Sequence, residues 1–319
     1  MLARFWGTRG SLPAPLGAAA VRAKVREALL AARGKGLETP AAVDAFIAEA
    51  LPFTVSGTFG GNTSCVEIDR AGGELVLCDL GTGVREFGTR LLARDGAARK
   101  QRINVFMSHP HWDHIMGFPF LPHIYIPGNV IRIFGCHARL REAFERQHAA
   151  PCFPIDFHAL PSTIEFVPLE PGRGYTIAGL EVEAITQRHG GDSYGYRFRH
   201  GGKSLVYSTD NEHRYESLDA HYPFVGFIRD ADLLIFDAMY SLADQISVKE
   251  DWGHSSNMIG VELAQFAHVK HLVLFHHEPI YDDRAMATIL AETRRYEELS
   301  RSGHKLVVSS AYDGLEIEL

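Results

Sequence analysis

The stretch Ser108-His109-Pro110-His111-Trp112-Asp113-His114 sets three imidazoles and a carboxylate within six positions, directly after the apolar run Ile103-Asn104-Val105-Phe106-Met107. Such groups are ligands for zinc and similar borderline cations. In extended backbone, residues two apart face the same way, so His109 and His111 can grip one ion together. A turn into helix then carries Asp113 and His114 to a neighbouring position, where they can serve a second ion. The chain holds seventeen histidines, and one imidazole alone is more often a packed or surface group than a ligand. Three of them beside an aspartate reverse that expectation.

His109-x-His111-x-Asp113-His114 is an HxHxDH signature, and in this strand-to-helix setting it resembles the metallo-β-lactamase superfamily. The resemblance implies a site completed by a histidine, a bridging aspartate and a last histidine, each at a later strand end. His189 follows Val182-Glu183-Ala184-Ile185-Thr186, Asp210 follows Leu205-Val206-Tyr207-Ser208-Thr209, and His276 follows Leu272-Val273-Leu274-Phe275. By analogy His109, His111 and His189 hold one metal ion, Asp113, His114 and His276 hold the other, and Asp210 bridges. His277 is the alternative last ligand. Asp79, between Glu74-Leu75-Val76-Leu77-Cys78 and Gly81-Thr82-Gly83, is similar to the family's early aspartate. Its implied role is a hydrogen bond that orients a ligand, against the plainer reading of a turn aspartate.

Two further stretches resemble the ribonuclease Z and cyclic-phosphodiesterase branch. Phe5-Trp6-Gly7-Thr8-Arg9-Gly10-Ser11 is similar to its first strand and turn, and Ala231 to Ala238 followed by Trp252-Gly253-His254-Ser255-Ser256 is similar to its paired acidic and histidine motifs. Asp237 stands where ribonuclease Z carries glutamate. The pairing implies a carboxylate orienting His254, which donates a proton to the leaving oxygen or holds a phosphoryl oxygen. His254 also fits as the cap of a helix beginning near Asn257. The resemblance runs from residue 1 to about 280 without residues 18–51. It is nearest to a bacterial subgroup marked by Gly7 to Ser11, Gly60-Gly61-Asn62-Thr63-Ser64-Cys65 and His111 to His114 with Gly117-Phe118-Pro119-Phe120.

The elements that must position these groups are short. Apolar runs punctuated by glycine predict strands near 2–7, 64–69, 74–80 and 103–107, then near 164–167, 180–186, 195–199, 204–208, 232–236, 272–275 and 305–309. Two β-rich halves with helices between them predict a layered α/β sandwich. The resemblance makes it a four-layer αββα sandwich, one domain over residues 1–319. From about 18 to 51, Val21, Val25, Leu29 and Leu30 recur at helical spacing, and Thr39-Pro40 reads as the cap and first residue of a second helix. An inserted helical hairpin is expected there, with Arg22, Lys24, Arg26, Arg33 and Lys35 on a solvated face rather than a phosphate or partner patch. A second insertion, about 136–161, combines a helix with a loop bearing Pro151, Phe153 and Pro154, and is expected to act as a lid.

Hydrophobic residues make up 46% and charged residues 22% of the 319, ordinary globular usage far from that of disordered chains. The net charge of -7 argues against charge-driven binding to nucleic acid or anionic membrane. No signal-peptide pattern opens the chain and no stretch of eighteen apolar residues occurs, which points to the cytoplasm. Four cysteines without a CxxC pair read as reduced thiols.

The combined expectation is a hydrolase with two divalent metal ions, zinc first with manganese or iron as alternatives, that activates water against a small or cyclic nucleotide-type phosphodiester. Asp113 would orient the nucleophile, and Arg9 and Asn62 would contact phosphate. The alternatives are a metallo-hydrolase of a lactone, thioester or sulfate ester, a di-iron oxygen or nitric oxide reductase, and a non-catalytic nucleotide sensor. The reductases commonly place glutamate where this chain has His111. By family analogy the assembly is a homodimer.

Overall fold

A computed structural model describes residues 1–214, 219–241, 251–301 and 303–319. The strands are β1 (Leu2–Gly7), β2 (Cys65–Asp69), β3 (Leu75–Cys78), β4 (Arg102–Phe106), β5 (Val130–Gly135), β6 (Thr163–Pro168), β7 (Gly174–Ile177), β8 (Leu180–Gln187), β9 (Ser193–His200), β10 (Lys203–Ser208), β11 (Leu233–Asp237), β12 (His271–Phe275), β13 (Val307–Ser310) and β14 (Glu316–Glu318). They form two seven-stranded sheets, ordered β14-β1-β2-β3-β4-β5-β6 and β13-β12-β11-β10-β9-β8-β7. In each, a parallel half continues into an antiparallel half: β3 to β6 run parallel in the first sheet, and β10 to β13 in the second.

Alternation along each strand explains why the sheets stack. Val76, Cys78, Phe106 and Phe134 of the first sheet meet Leu205, Tyr207, Ile235, Val273 and Phe275 of the second in one buried core. The opposite faces bury Leu77, Ile103, Val105, Ile131 and Ile133 on one side, and Val206, Leu234, Phe236, Leu272 and Leu274 on the other. Three cores separate four layers, because helices cover both outer faces: α3 (Val84–Asp95) and α4 (Leu140–Gln147) over the first sheet, α5 (Pro223–Ile228) and α6 (Asn257–Phe266) over the second. Strands buried on both faces read as near-continuous apolar runs, as parallel strands do.

Residues 18–51 hold α1 (Ala18–Ala31) and α2 (Pro40–Glu49), the latter capped by Thr39, which accepts from the Ala42 amide at 3.2 Å. Val21, Val25 and Leu29 on α1 are exposed. The helix is tied down instead by Lys24, which reaches Asp283 at 2.6 Å and the Gly57 carbonyl at 2.7 Å. Residues 136–161 form the crossover from β5 to parallel β6, and Leu140, Phe144 and Phe157 of that crossover fill the outer core. Among the described residues, no helix is long and apolar enough to cross a membrane.

Candidate metal centre

The candidate residues meet where the parallel strands end. Asp79 follows β3, His109 to His114 follow β4, Asp210 follows β10, Asp237 ends β11 and His276 follows β12. His189 joins them from the end of antiparallel β8. The carboxyl ends of parallel strands are where α/β sheets leave a crevice for ligands. The chain bends sharply there. Asp79, Asp210 and His276 have φ of 59°, 47° and 60°, a left-handed conformation that costs a non-glycine residue about 1–3 kcal/mol. Three such residues converging on one site mark it as a functional constraint.

Asp210 divides the cluster. Its Oδ1 lies 3.1 Å from His114 Nε2 and 3.2 Å from His276 Nε2. Its Oδ2 lies 3.7 Å from both His109 Nε2 and His189 Nε2. On the first side Asp113 Oδ2 approaches His114 Nε2 at 3.2 Å and His276 Nε2 at 3.1 Å. On the second side His111 Nδ1 stands 3.1 Å from His189 Nε2. Donors around one cation at bond lengths of about 2.0–2.2 Å in tetrahedral array stand about 3.3–3.6 Å apart, close to all of these separations.

Hydrogen bonding fixes which nitrogen of each ring is bare. His189 Nδ1 donates to the Gly253 carbonyl at 2.9 Å and His114 Nδ1 donates to Asp79 Oδ2 at 2.8 Å. Ser108 gives its hydroxyl proton to Asp79 Oδ2 at 2.7 Å, so its oxygen accepts from His109 Nδ1 at 3.1 Å. All three rings therefore turn a lone pair on Nε2 into the cluster. His109 Nε2 is buried without a hydrogen-bond partner among the described residues, a costly state unless something binds it. Burial also holds the His109 and His111 rings below the usual imidazole range, hence neutral, as ligands must be. His114 goes the other way: burial opposes its protonation, but Asp113, Asp210 and Asp79 outweigh it and push its pKa well up. Those carboxylates demand a positive charge at that point, from a proton or a cation. Asp113 and Asp210 are both held well below the carboxylate range: burial opposes this, and the facing imidazoles, His114 first for Asp113 and His276 first for Asp210, overcome it. The donor set thus fits two divalent ions sharing Asp210.

Beyond it stands a second pair. His254 Nδ1 donates to Asp237 Oδ2 at 2.9 Å, and the His254 ring stacks on His276 at 5.0 Å. Burial acts against the charged form of His254, but Asp237 chiefly, with Asp210 and Asp113, raises its pKa to about 9.

Three expectations resolve on geometry. His276 faces the cluster, whereas His277 turns away and its Nε2 meets the Ala311 carbonyl at 2.9 Å. Arg9 is 3% exposed and spends its guanidinium inside the protein, donating to the carbonyls of Gly60 at 3.0 Å, Glu278 at 3.1 Å and Tyr281 at 2.9 Å. Asn62 donates to Asp313 Oδ2 at 3.0 Å while its Oδ1 accepts from Thr82 at 3.1 Å. Both reinforce the loops that carry the glycine-rich turns.

Sequence reasoning passed over several supports. Tyr207 donates to Asp79 Oδ2 at 2.7 Å, and the Ser11 amide donates to Asp113 Oδ2 at 2.8 Å. Glu212 accepts from the Gly253 amide at 3.3 Å, beside the carbonyl that fixes His189. Tyr207 carried one signal, an inward position on β10 three residues before Asp210.

Two stacked sheets bearing this histidine and aspartate cluster at their strand ends define a metal-dependent hydrolase of the metallo-β-lactamase fold. The chain belongs to the beta-lactamase superfamily domain family, whose model matches residues 75–277. It is similar to a ribonuclease Z of Bradyrhizobium sp. (strain ORS 278), 26% identical over 278 residues that cover 70% of this chain and 86% of that protein. The metallo-beta-lactamase fold protein YhfI of Bacillus subtilis has a similar structure, with a TM-score of 0.64 at 15% identity over 99% of this chain and 98% of that one. A diphosphatase of the PhnP family gives a TM-score of 0.61 at 18% identity over 100% and 97% of the two chains. These two likenesses are of fold.

Proposed function

We propose that the chain is a dinuclear metal-dependent phosphodiesterase acting on a small or cyclic nucleotide-type phosphodiester. The observation that carries this is Asp210 presenting Oδ1 to His114 and His276 and Oδ2 to His109 and His189. His109, His111 and His189 would hold one ion, Asp113, His114 and His276 the other, with zinc favoured by the imidazole-rich set and manganese or iron as alternatives. When bound, such a pair lowers the pKa of a water to about 7 and polarises a phosphoryl oxygen.

The chain's own residues do the rest. Asp113, pinned by the Ser11 amide, orients the attacking water. His254 is the general acid: Nδ1–H is committed to Asp237, so Nε2 delivers the proton to the leaving oxygen. An alkoxide leaving from phosphorus needs that proton more than a thiolate leaving from a thioester, which favours phosphodiesters over thioesters. The ribonuclease Z relative acts, by its name, on RNA, while the net charge of -7 favours a smaller substrate here.

The test combines elemental analysis with a hydrolysis panel of cyclic and linear phosphodiesters, a lactone, a thioester and a sulfate ester. Two equivalents of metal, loss of turnover on chelation and recovery on reloading, and selectivity for a nucleotide diester are expected. His111→Ala abolishes turnover with the fold retained, and His254→Ala mainly lowers kcat. Undiminished hydrolysis in His111→Ala ends this reading.

A further inference from the structure

The cluster is buried at His109 and His114 but opens to solvent at His111. The next residue, Trp112, is 80% exposed, more than any other exposed large apolar side chain among the described residues. An indole is large enough that leaving it in water is unusual. Its backbone is nonetheless held in a helical turn: the Met116 amide donates to the Trp112 carbonyl at 2.7 Å, and the His114 amide to the His111 carbonyl at 3.1 Å. The ring of Trp112 makes no aromatic contact with the described residues.

Trp112 does not stand alone, since three other loops at the site also bear an exposed apolar side chain. Leu12, 60% exposed, follows Ser11, whose amide lies 2.8 Å from Asp113 Oδ2. Trp252, 62% exposed, precedes Gly253, whose carbonyl lies 2.9 Å from His189 Nδ1. Ile280, 77% exposed, comes four residues after His276. Scattered exposed apolar residues are ordinary, but four on four loops that present one polar cluster are not.

We propose that Trp112 is the platform on which the base of the bound nucleotide stacks, and therefore a specificity-determining residue; this rests on the phosphodiesterase reading above. A phosphoryl group held at the His111 end of the cluster would leave the rest of the substrate on the solvent side, where Trp112 is exposed. That residue offers a flat π-face, which stacks on any base and gives no sequence selectivity. The substrate class is a nucleotide of either base type rather than a sugar phosphate or an alkyl phosphodiester.

The experiment is isothermal titration of the metal-loaded full-length protein with AMP, hexyl phosphate and inorganic phosphate. AMP binds at least tenfold more tightly than phosphate, and Trp112→Ala removes about tenfold of that affinity while phosphate binding stays within twofold. Trp112→Phe restores most of the loss because a ring remains, and Trp112→Leu does not. Trp112 is exposed, so thermal denaturation of the three variants should match that of the parent chain. AMP affinity unchanged in Trp112→Ala, rescue by leucine equal to that by phenylalanine, or hexyl phosphate binding as tightly as AMP each overturns the proposal. The phosphodiesterase reading is judged separately: AMP held through Trp112 with no diester hydrolysed sinks that reading alone. Nucleotide diesters hydrolysed with unchanged AMP affinity in Trp112→Ala sink the platform alone.

Discussion

Tyr207, on β10 of the second sheet, donates its hydroxyl proton across the interface to Asp79, at the end of β3 in the first, at 2.7 Å. Both residues are fully buried. Asp79 also takes the Ser108 amide and hydroxyl and His114 Nδ1. One carboxylate thus couples the packing of the two sheets to the orientation of a candidate ligand. Burial, then Asp79, pushes the Tyr207 pKa up, so it remains a donor at any ordinary pH.

Tyr207→Phe keeps the packing and deletes that donor. Loss of a group that orients a ligand's partner lowers metal affinity about 10-fold, and loss of one buried hydrogen bond lowers stability by about 1 kcal/mol. Chelator competition measures the first and urea denaturation the second. Metal affinity within twofold of the parent chain would show that Asp79 is held well enough by Ser108 alone.

Arg9 makes the opposite prediction from the one its sequence setting suggests. Arg9→Ala leaves the Gly60, Glu278 and Tyr281 carbonyls without their shared donor, at about 1–3 kcal/mol for each that stays dry. Arg9→Lys keeps the charge but not the fork that reaches several acceptors, so it should recover little. Both variants lower the melting temperature, whereas KM of the folded fraction changes less than threefold. A large rise in KM with unchanged melting would restore Arg9 as a substrate contact.

How far the site was legible follows from how local its signals are. The motif from His109 to His114 is contiguous and lies at the end of a strand with a strong apolar pattern, so its four ligand-type side chains could be placed together from spacing alone. His189, Asp210 and His276 were found only because each ends an apolar run. His276 could not be separated from His277, because the choice depends on a backbone at φ of 60°, which no pattern encodes. For Arg9 and Asn62 no local pattern separates a ligand contact from a loop brace, because a polar residue in a glycine-rich turn looks the same in either role. Among the strands, β14 pairs three residues with β1 across almost the whole chain, a closure with no local trace. The Val130 to Phe134 run of β5 carries an apolar signal of its own, interrupted only by Arg132.

Gly10 tests how tightly the last ligand is set. A β-carbon there would lie 2.5 Å from His276 Cε1 and 2.6 Å from Nδ1, closer than real contacts allow, so Gly10→Ala must move the ring. Displacing a reacting or ligating group by about 1 Å can cost about 100-fold. We expect that loss in kcat/KM, with metal content reduced toward one equivalent, and little change in circular dichroism. Full metal content with parental activity would mean that His276 has room to shift without consequence.

His213 sets a pH limit on stability. It is buried, and burial alone pushes its pKa down to about 3. Its neutral form is matched to its surroundings: the Asn211 amide oxygen takes the Arg188 N–H at 2.9 Å, so Asn211 Nδ2 must donate to His213 Nε2 at 2.8 Å, leaving Nδ1–H to meet the Tyr222 oxygen at 3.0 Å. The unfolded chain takes up this proton below a pKa of about 6.5, while the folded chain resists it until about 3. Stability is therefore complete above pH 6.5 and falls as pH drops toward 3, by at most about 5 kcal/mol from this residue. His213→Gln cannot titrate and should show a shallower loss, by close to one proton in the slope of unfolding free energy against pH, when both chains are unfolded in urea between pH 6.5 and 4. Parallel slopes for the two chains would mean that His213 is already protonated in the folded state, and the bonding scheme drawn for Asn211 would be reversed.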